Sequence, residues 1–506
     1  MKRDKLFVFL IVVVVGLTLL RLLVAGTVEL LPEEAYYWTY SKHPALGYFD
    51  HPPMVAWMVH AGTLLLGDTE RGVRIINMLL WIGSCALLWQ TARIWFDVRV
   101  ASGAALLFSA LPIFVGIGFI VTPDGPLVFF WTLTLYAISL ALHTGRNAAW
   151  LLAGVAFGGA LLSKYYALLL APSLLLFLLF STRYRRWLSR PQPWLALGIA
   201  LVVFSPVVIW NAQHQWASFA FQSSRASGVK GNALELAGMF WLVQLGILTP
   251  PLFVLMVMAA ARAVQRGWRQ REDRWNFVAA FSLPLFLLFA IASFKADVHL
   301  NWTAPAFLSL TLGGAAVWLE GADDPDPRQA RRWGVAAWLS GLLCAVVLVA
   351  AHVNVLFGRP ESLAYSRVGG WRELAAQVDS AKVELSRRSG HKAFVLGVDK
   401  YNIAAELGFY LRNPGDSVNL YALGERGLGY RFWTDLERFE GRPAVVVVFN
   451  PSEGTLQELR AHFDRIDEPL PMRINAPARR WHSVYLVCCD GYHAKPRALT
   501  EASKGL

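Results

Sequence analysis

Two adjacent carboxylates follow the first long apolar stretch of the chain and have the chemistry of a general base. Glu33 and Glu34 come directly after Pro32, and Tyr36 and Tyr37 follow within one helical turn. Aromatic neighbours exclude water from a carboxylate and raise its affinity for a proton, as a general base requires. The alternative is an ordinary helix start, because acidic residues stabilise the first turn. Which of the two carboxylates would take the proton stays open.

A third carboxylate lies in a short turn between two later apolar stretches. Asp124 is the central residue of Thr-Pro-Asp-Gly-Pro at 122–126. Pro-Asp-Gly-Pro is favourable turn chemistry by itself. If this turn reaches the same membrane face as Glu33, the two acidic sites could instead form an acid–base or metal-binding pair.

Cationic side chains occur at two further turns and suit an anionic or sugar ligand. Lys164 interrupts a long apolar region, and two interpretations stay open. Its aliphatic stem extends so that the ammonium group reaches the membrane surface, or the ammonium group binds a phosphate. Lys295 and His299 lie in a later loop whose four polar side chains alternate with aliphatic ones between Phe294 and Trp302. We interpret this loop as part of a ligand-binding surface.

The segment 47–53, Gly-Tyr-Phe-Asp-His-Pro-Pro, adds polar candidates shortly after the acidic pair. Tyr48, Asp50 and His51 are its candidate binding residues. Together with His299 this segment contains the ligand types of a metal site, although no helix-spaced ligand motif accompanies them. A divalent metal ion is therefore a possible cofactor, and the metal requirement stays open.

The composition places these residues in a membrane protein with many spans. Of the 506 residues, 56% are hydrophobic and only 16% are charged, whereas soluble domains contain roughly a quarter charged residues. A span needs about 20 apolar residues, and we predict about eleven spans. The first is predicted to remain as a membrane anchor. The predicted spans are 6–25, 74–95, 101–121, 126–143, 148–163, 165–181, 194–210, 236–261, 276–293, 302–319 and 333–355.

The arginine distribution predicts the orientation, because positively charged residues concentrate in cytoplasmic loops. With a cytoplasmic N-terminus, alternate loops contain most of the arginines, which also explains the net charge of +12 without nucleic-acid binding. An odd number of spans then places the C-terminal region and the candidate residues outside. The arginines of the predicted inner loops are Arg93, Arg99, Arg146, Arg183, Arg185, Arg186, Arg190, Arg262, Arg266, Arg269, Arg271, Arg274, Arg328, Arg331 and Arg332.

The C-terminal part has the pattern of a small α/β domain. Strands are predicted at 393–398, 444–449 and 483–488, and amphipathic helices at 371–388 and 455–466. The predicted organisation is a membrane domain over 1–360 and an extracytoplasmic α/β domain over 361–506. The four cysteines form no CxxC or Cys/His zinc spacing, so a structural metal or a disulfide framework is not expected.

Four segments in this order, 32–38, 47–53, 122–124 and 162–164, resemble a known family. The chain is similar to GT-C-fold membrane glycosyltransferases related to the protein O-mannosyltransferases. It resembles their bacterial members that use polyprenyl-phosphate sugars, the lipid A aminoarabinose transferase and the rhizobial galacturonosyltransferases. The likeness covers roughly residues 5–320, and it implies an α-helical, polytopic GT-C-like fold.

The resemblance also implies roles for the candidate residues. It implies that Glu33, with Glu34 beside it, occupies the position of the catalytic base. The family usually has an Asp-Glu pair at this position. Asp124 matches a second acidic residue, and Lys164 matches a lysine near the donor phosphate. The aminoarabinose transferase has Glu-Lys where this chain has Asp-His, so the galacturonosyltransferase branch is favoured. The remaining candidate donor-binding residues are Tyr37, Tyr48, Asp50, His51, Lys295 and His299.

The reaction that the resemblance implies is sugar transfer from a polyprenyl phosphate to an acceptor hydroxyl, with inversion at the anomeric carbon. The expected acceptor is lipopolysaccharide, lipid A or another envelope glycan, at the periplasmic face of a bacterial inner membrane. The expected partners are the lipid-linked donor, the acceptor and membrane lipids. One alternative is a transporter or flippase of lipid-linked sugars, although such proteins tend to show repeated halves. A second alternative is a non-catalytic assembly protein.

Overall fold

The computed structural model describes residues 3–227, 231–357, 369–398, 401–413, 417–420, 428–472 and 484–496. The chain divides into two compact units. A helical unit comprises Met1–Leu23, Ala45–Met58 and Arg74–Ala350. An α/β unit comprises Val24–Pro44, Val59–Val73 and Ala351–Leu506.

Five helical stretches are long and apolar enough to cross a membrane within the described residues, and a sixth span is possible if a bent pair is one span. The protein is therefore a multi-span membrane protein. The five are α1 (Arg3–Val24), α4 (Glu70–Trp95), α7 (Asp124–Thr144), α10 (Pro191–Gln213) and the consecutive α14 (Asp273–Ala280) and α15 (Leu283–Ala292).

The remaining helices of the first 357 residues differ more in length. Short 3-10 turns at Tyr165–Leu169 and Arg185–Ser189 and a π-helical turn at Ala263–Arg269 connect some of them. They are α2 (Pro32–Lys42), α3 (Met54–Leu66), α5 (Val98–Ala110), α6 (Pro112–Ile117), α8 (Asn147–Ser163), α9 (Leu170–Phe180), α11 (Ala217–Ser227), α12 (Ala233–Leu248), α13 (Pro250–Arg262), α16 (Ala304–Ala322) and α17 (Pro327–Phe357).

Proline residues break several of the predicted spans into shorter helices, because proline has no N–H to donate to the preceding turn. The predicted span 101–121 is divided at Pro112, and 236–261 is divided at Thr249, which precedes Pro250. The second break turns the helix axis by 104°. The predicted number of about eleven spans therefore stays a prediction.

Small residues bring the helices of the helical unit into close contact. Gly154 and Gly158 are one turn apart on α8 and face α10. A Cβ atom at Gly154 would lie 2.6 Å from the carbonyl oxygen of Ala196, and one at Gly158 would lie 2.4 Å from Cβ of Val203. This small-xxx-small spacing is typical of helix pairs in membranes, where close packing replaces the hydrophobic effect as the source of association.

The α/β unit contains a mixed sheet with the strand order β2-β1-β3-β6-β4, and β5 also pairs with β6. β1 is parallel to β2 and β3, whereas β6 is antiparallel to β3, β4 and β5. The strands are β1 (Phe394–Gly397), β2 (Ser417–Asn419), β3 (Ala444–Phe449), β4 (Phe463–Ile466), β5 (Leu470–Pro471) and β6 (Val484–Tyr492).

Both faces of this sheet are buried, which explains its continuous runs of valine. Val395 and Val445 pack on the face that carries α18 (Trp371–Ser389) and α19 (Asn402–Tyr410). Leu396 and Val446 pack on the opposite face with residues of α20 (Glu453–His462) and of a 3-10 turn at Leu436–Phe439. A further 3-10 turn spans Leu428–Phe432.

The structure confirms most of the elements predicted for this region. The strands predicted at 393–398 and 444–449 are β1 and β3, and the helix predicted at 371–388 is α18. The strand predicted at 483–488 is β6, whose described part begins at Val484. The helix predicted at 455–466 is wrong at its end, because the helix stops at His462 and the next four residues form β4, paired with β6.

The α/β unit also includes two early segments, and one of them contains α2. The helix α2 packs against α19 of the C-terminal part. The domain boundary predicted at residue 360 falls among residues 358–368, outside the described part of the chain, and stays a prediction.

Candidate functional site

The two adjacent carboxylates of α2 are in different environments. Leu31 precedes the helix with extended backbone, and Pro32 is its first residue. Glu34 is fully buried, and its Oε2 accepts a hydrogen bond from the Leu31 N–H at 3.0 Å. Such a bond satisfies a backbone donor that a helix start leaves open. Glu33 is exposed. The helix-start interpretation therefore fits Glu34, whereas the role of Glu33 as a base stays a prediction.

Aromatic side chains enclose the rest of α2. The Tyr36 ring stacks on Tyr401 with centroids 4.1 Å apart. Tyr37, a predicted donor-binding residue, is buried and packs edge-on against Tyr40 at 5.7 Å. Trp38 packs edge-on against Phe409 at 5.1 Å. The predicted aromatic environment is therefore present, and Tyr37 contributes to the packing of this helix.

Asp124 lies at the first turn of α7 in a dense group of donors. Both of its carboxylate oxygens are 2.9 Å from Nζ of Lys164. The Asn301 side-chain amide donates to Oδ2 at 2.5 Å, and the hydroxyls of Thr122 and Tyr166 donate at 3.2 and 3.4 Å. The carboxylate is thus surrounded by donors from three parts of the helical unit.

Local geometry fixes the positions of the members of this group. Gly125 follows Asp124, and a Cβ atom there would lie 1.8 Å from Oδ1 of Asn77, so only glycine fits. Lys164 ends α8 with extended backbone, which turns its side chain away from the helix. Asn301 lies in the turn before α16.

The Asp124–Lys164 ion pair is almost completely removed from solvent, with residue exposures of 1% and 6%. A buried ion pair is tolerated when further hydrogen bonds satisfy its remaining lone pairs, and Asn301 and Thr122 do so here. A substrate hydroxyl could reach Asp124 only by displacing one of these donors. If Lys164 binds a phosphate as predicted, it does so while its ammonium group is paired with Asp124.

The segment 47–53 folds into a tight loop held against α11. The Tyr48 N–H donates to the His51 carbonyl at 3.2 Å, and the Tyr48 hydroxyl accepts from the Ala45 N–H at 3.2 Å. Burial raises the pKa of Tyr48 well above its usual range. The Gln222 amide donates to the Asp50 carbonyl at 2.6 Å. Tyr48 is therefore part of the loop's framework, while the Asp50 and His51 side chains are half-buried.

The other predicted donor-binding residues lie between α15 and α16. Lys295 and His299 are exposed, and the His299 ring lies 5.2 Å from that of Trp302. Among the described residues, no three His, Cys, Asp or Glu side chains are grouped so as to hold a metal ion. Asp50, His51 and His299 accordingly do not form such a group.

The structure brings some predicted residues together and leaves other groupings as predictions. Asp124 and Lys164 form one cluster in the helical unit. Glu33 and Glu34 belong to the α/β unit, so their convergence with Asp124 stays a prediction. Asn301 was not among the named candidate residues, although its loop was interpreted as part of a ligand-binding surface. Its position in a polar loop before Trp302 was the available signal.

The model of the family "Dolichyl-phosphate-mannose-protein mannosyltransferase" matches residues 50–210. The lipid A galacturonosyltransferase RgtD of Rhizobium johnstonii is 25% identical over 422 residues, which cover 83% of this chain and 85% of that protein. An undecaprenyl phosphate-α-4-amino-4-deoxy-L-arabinose arabinosyl transferase of Pseudomonas paraeruginosa is 27% identical over 293 residues. That alignment covers 54% of this chain but only 51% of the relative.

Two solved structures share the fold. ArnT from Cupriavidus metallidurans in the apo state has a TM-score of 0.65 at 17% identity, covering 94% of this chain and 97% of that chain. The oligosaccharyltransferase of Archaeoglobus fulgidus, tethered to an acceptor peptide, has a TM-score of 0.53 at 13% identity. That match covers 88% of this chain and 69% of the oligosaccharyltransferase. Both likenesses concern the fold.

The curated relatives are named as glycosyl, galacturonosyl or arabinosyl transferases, and these names agree with the family model and with the fold. They confirm the resemblance predicted from the sequence motifs. The transporter and assembly alternatives have no comparable support. The chain is a membrane glycosyltransferase with a GT-C-like fold.

Proposed function

We propose that this enzyme transfers a sugar from a polyprenyl-phosphate donor to a hydroxyl group of lipid A or of another part of lipopolysaccharide. The observation that carries this proposal is the sequence similarity to a lipid A galacturonosyltransferase over 83% of the chain. The arabinosyl transferases are named for an undecaprenyl-phosphate donor, and ArnT has been solved bound to undecaprenyl phosphate. Galacturonate is the first sugar to test.

The proposed chemistry is a single displacement at the anomeric carbon. The acceptor oxygen forms a bond to that carbon while the bond to the phosphate oxygen breaks, so polyprenyl phosphate leaves and the configuration inverts. Glu33 takes the proton of the acceptor hydroxyl. This assignment is supported by its exposure, since the neighbouring Glu34 is buried and bonded to the helix start. General-base assistance of this kind is typically worth about 10² to 10⁴ in rate.

Asp124 has a positioning role in this proposal. Its two oxygens hold the Lys164 ammonium group, which has a third N–H to offer to a donor phosphate. Lys295, His51 and His299 are further candidates to balance the charge of the leaving group. Preorganised cations stabilise a departing phosphate most strongly where water is excluded.

We also propose that the protein lies in a bacterial inner membrane with its N-terminus in the cytoplasm and its C-terminal domain in the periplasm. The arginine distribution supports this orientation, because arginine-rich loops stay on the cytoplasmic side. Transfer from a lipid-linked donor also suits a periplasmic active site, since no nucleotide sugar is then required.

Mass spectrometry of envelope lipids tests the proposed function in cells. Lipid A and core oligosaccharide would be compared between a deletion strain, the same strain expressing the wild type, and one expressing Glu33→Gln. We expect one sugar mass to disappear in the deletion strain and to return only with the wild type. An unchanged glycan profile in the deletion strain would overturn the proposed transfer, and restoration by Glu33→Gln at equal expression would overturn the assignment of Glu33 as the base.

A further inference from the structure

Four side chains of the α/β unit, Glu29, Glu70, Arg372 and Tyr410, form a connected network, here named the clasp. Glu29 accepts the backbone N–H groups of Trp371 and Arg372 at 2.9 and 3.2 Å. These groups are at the first turn of α18, where open N–H donors and the helix dipole favour a carboxylate. The Arg372 guanidinium also pairs with both Glu29 and Glu70. The clasp thus joins two early segments of the chain to the C-terminal part.

Tyr410 connects the clasp to the start of α2. Its hydroxyl donates to Oε1 of Glu70 at 3.0 Å and accepts the Leu30 N–H at 2.8 Å. Leu30 is separated from the first residue of α2 by Leu31 alone. The hydroxyl therefore fixes the backbone just before the helix that carries Glu33.

Glu29, Glu70 and Tyr410 are partly or fully shielded from water, which strengthens their polar interactions, whereas the Arg372 side chain is 58% exposed. Glu70 is 6% exposed, and Tyr410 is half-buried at the end of α19. Burial raises the pKa of both Glu29 and Tyr410 above their usual ranges. A polar network of this kind specifies one arrangement of the groups that it joins, because each alternative leaves a buried group without a partner.

The C-terminal part also holds α2 along its length. Phe409, next to Tyr410, packs against Trp38 one turn beyond Glu34, and Trp433 packs edge-on against Tyr40 at 5.3 Å. The α/β region therefore fixes α2 both by hydrogen bonds at its start and by aromatic contacts along its side.

We infer that the clasp makes the C-terminal α/β region a positioning device for the catalytic helix, with Arg372 and Tyr410 as positioning residues for Glu33. This inference rests on the proposed function, in which Glu33 is the base. It assigns a role to the C-terminal region, for which the sequence motifs predict no function. A displacement of about 1 Å at a catalytic group can cost on the order of 10² in rate.

The test uses the full-length enzyme with Tyr410→Phe, Arg372→Met and the conservative Arg372→Lys. The control is Arg387→Met, because Arg387 lies on the same helix α18 and pairs with Glu384 on the surface. Transfer from undecaprenyl-phosphate-linked galacturonate to lipid A gives kcat and KM. We expect Tyr410→Phe and Arg372→Met to lower kcat by about tenfold or more with donor KM nearly unchanged. Arg372→Lys should recover part of the loss, and the control should match the wild type.

A second measurement separates positioning from general loss of stability. Each substitution is repeated in a Glu33→Gln background, where a residue that acts through Glu33 has nothing left to position. We expect Tyr410→Phe to add little there, because residues acting as one unit are strongly non-additive. Equal fold-losses in both backgrounds, or wild-type kcat in Tyr410→Phe and Arg372→Met, would overturn the inference. Full activity of Glu33→Gln itself would instead overturn the assignment of Glu33 as the base in the proposed function.

Discussion

Glu33 and Glu34 show how neighbouring residues of the same type acquire different tasks. Glu34 is buried and accepts the N–H of Leu31, whereas Glu33 is exposed. Sequence alone identified the pair but could not choose between them. The choice depends on which side of α2 faces the protein interior, and a short helix in which eight of eleven residues are buried has too weak a polar pattern to predict it.

Isosteric substitutions distinguish the two carboxylates. Glu33→Gln should lower kcat by about 100-fold or more, because the amide cannot accept the acceptor's proton. Glu34→Gln retains an oxygen that can accept the Leu31 N–H, so its kcat should stay within about tenfold of the wild type. Steady-state transfer assays on both purified variants measure this. A larger loss in Glu34→Gln than in Glu33→Gln would show that Glu34 is the base.

The Asp124–Lys164 pair makes a separate prediction about stability. Asp124→Asn leaves the buried Lys164 ammonium without its counter-charge, which should destabilise the protein by about 3–5 kcal/mol. The double variant Asp124→Asn, Lys164→Met removes both charges and should recover most of the thermal stability in detergent, while transfer stays low.

The same two variants show whether the pair is only structural. A double variant with both wild-type stability and wild-type transfer would restrict the pair to folding. A double variant as unstable as Asp124→Asn would show that the ion pair is not the source of the destabilisation. Thermal unfolding followed by size-exclusion chromatography provides the stability readout.

At the scale of elements, the regular patterns were predictable and the interruptions were not. Continuous apolar runs predicted β1 and β3, and amphipathic spacing predicted α18. The predicted helix at 455–466 failed at its end, since Phe463 and Ile466 pair with β6, a strand distant in sequence. The break at Thr249 likewise depends on a backbone conformation with φ of 65°, which a hydropathy plot does not report.

The contact of α8 with α10 predicts opposite outcomes for two glycine substitutions. Gly158→Ala places a methyl group 2.4 Å from Cβ of Val203 and should destabilise the helix pair by roughly 1–3 kcal/mol. Gly198 lies on α10 with open space around its Cβ position, so Gly198→Ala should leave stability unchanged or improve it. Thermal melting in detergent compares them. Equal melting temperatures for both variants would contradict this packing.

The clasp predicts a pH dependence of stability. Burial raises the pKa of Glu29 above its ordinary value of 4.5, while the Trp371 and Arg372 N–H groups and the Arg372 charge oppose the shift and the Glu70 charge adds to it. The folded state then binds the proton more tightly than the unfolded state. This contribution to stability is therefore full below pH 4.5 and decreases as the pH rises through the raised pKa.

Glu29→Gln removes this titration and provides the measurement. The melting temperature of the wild type relative to that of Glu29→Gln should fall as the pH is raised from about 4 to 7. If the melting temperature of the wild type instead rose relative to that of Glu29→Gln over this pH interval, folding would favour the ionised form of Glu29. That outcome would contradict our account.

At the scale of the whole molecule, the units do not follow the chain order. Composition predicted one boundary at residue 360, which stays a prediction, and it did not predict that the α/β unit also includes Val24–Pro44 and Val59–Val73. Tyr410 and Glu70, which are hydrogen-bonded, are 340 residues apart in sequence. Composition and periodicity describe local segments, so they cannot report contacts of this range. The membrane class and the GT-C resemblance were predictable, because they rest on span-length hydropathy and on short motifs.

The most direct test of the central claim is a reconstituted transfer reaction with the purified enzyme in lipid vesicles. Undecaprenyl-phosphate-linked galacturonate and lipid A would be the substrates, and mass spectrometry would detect the glycosylated lipid A. We predict product with the wild type and loss of product with equally folded Glu33→Gln. Absence of product with folded wild-type enzyme across lipid-linked donors, or equal product from Glu33→Gln, would contradict the account.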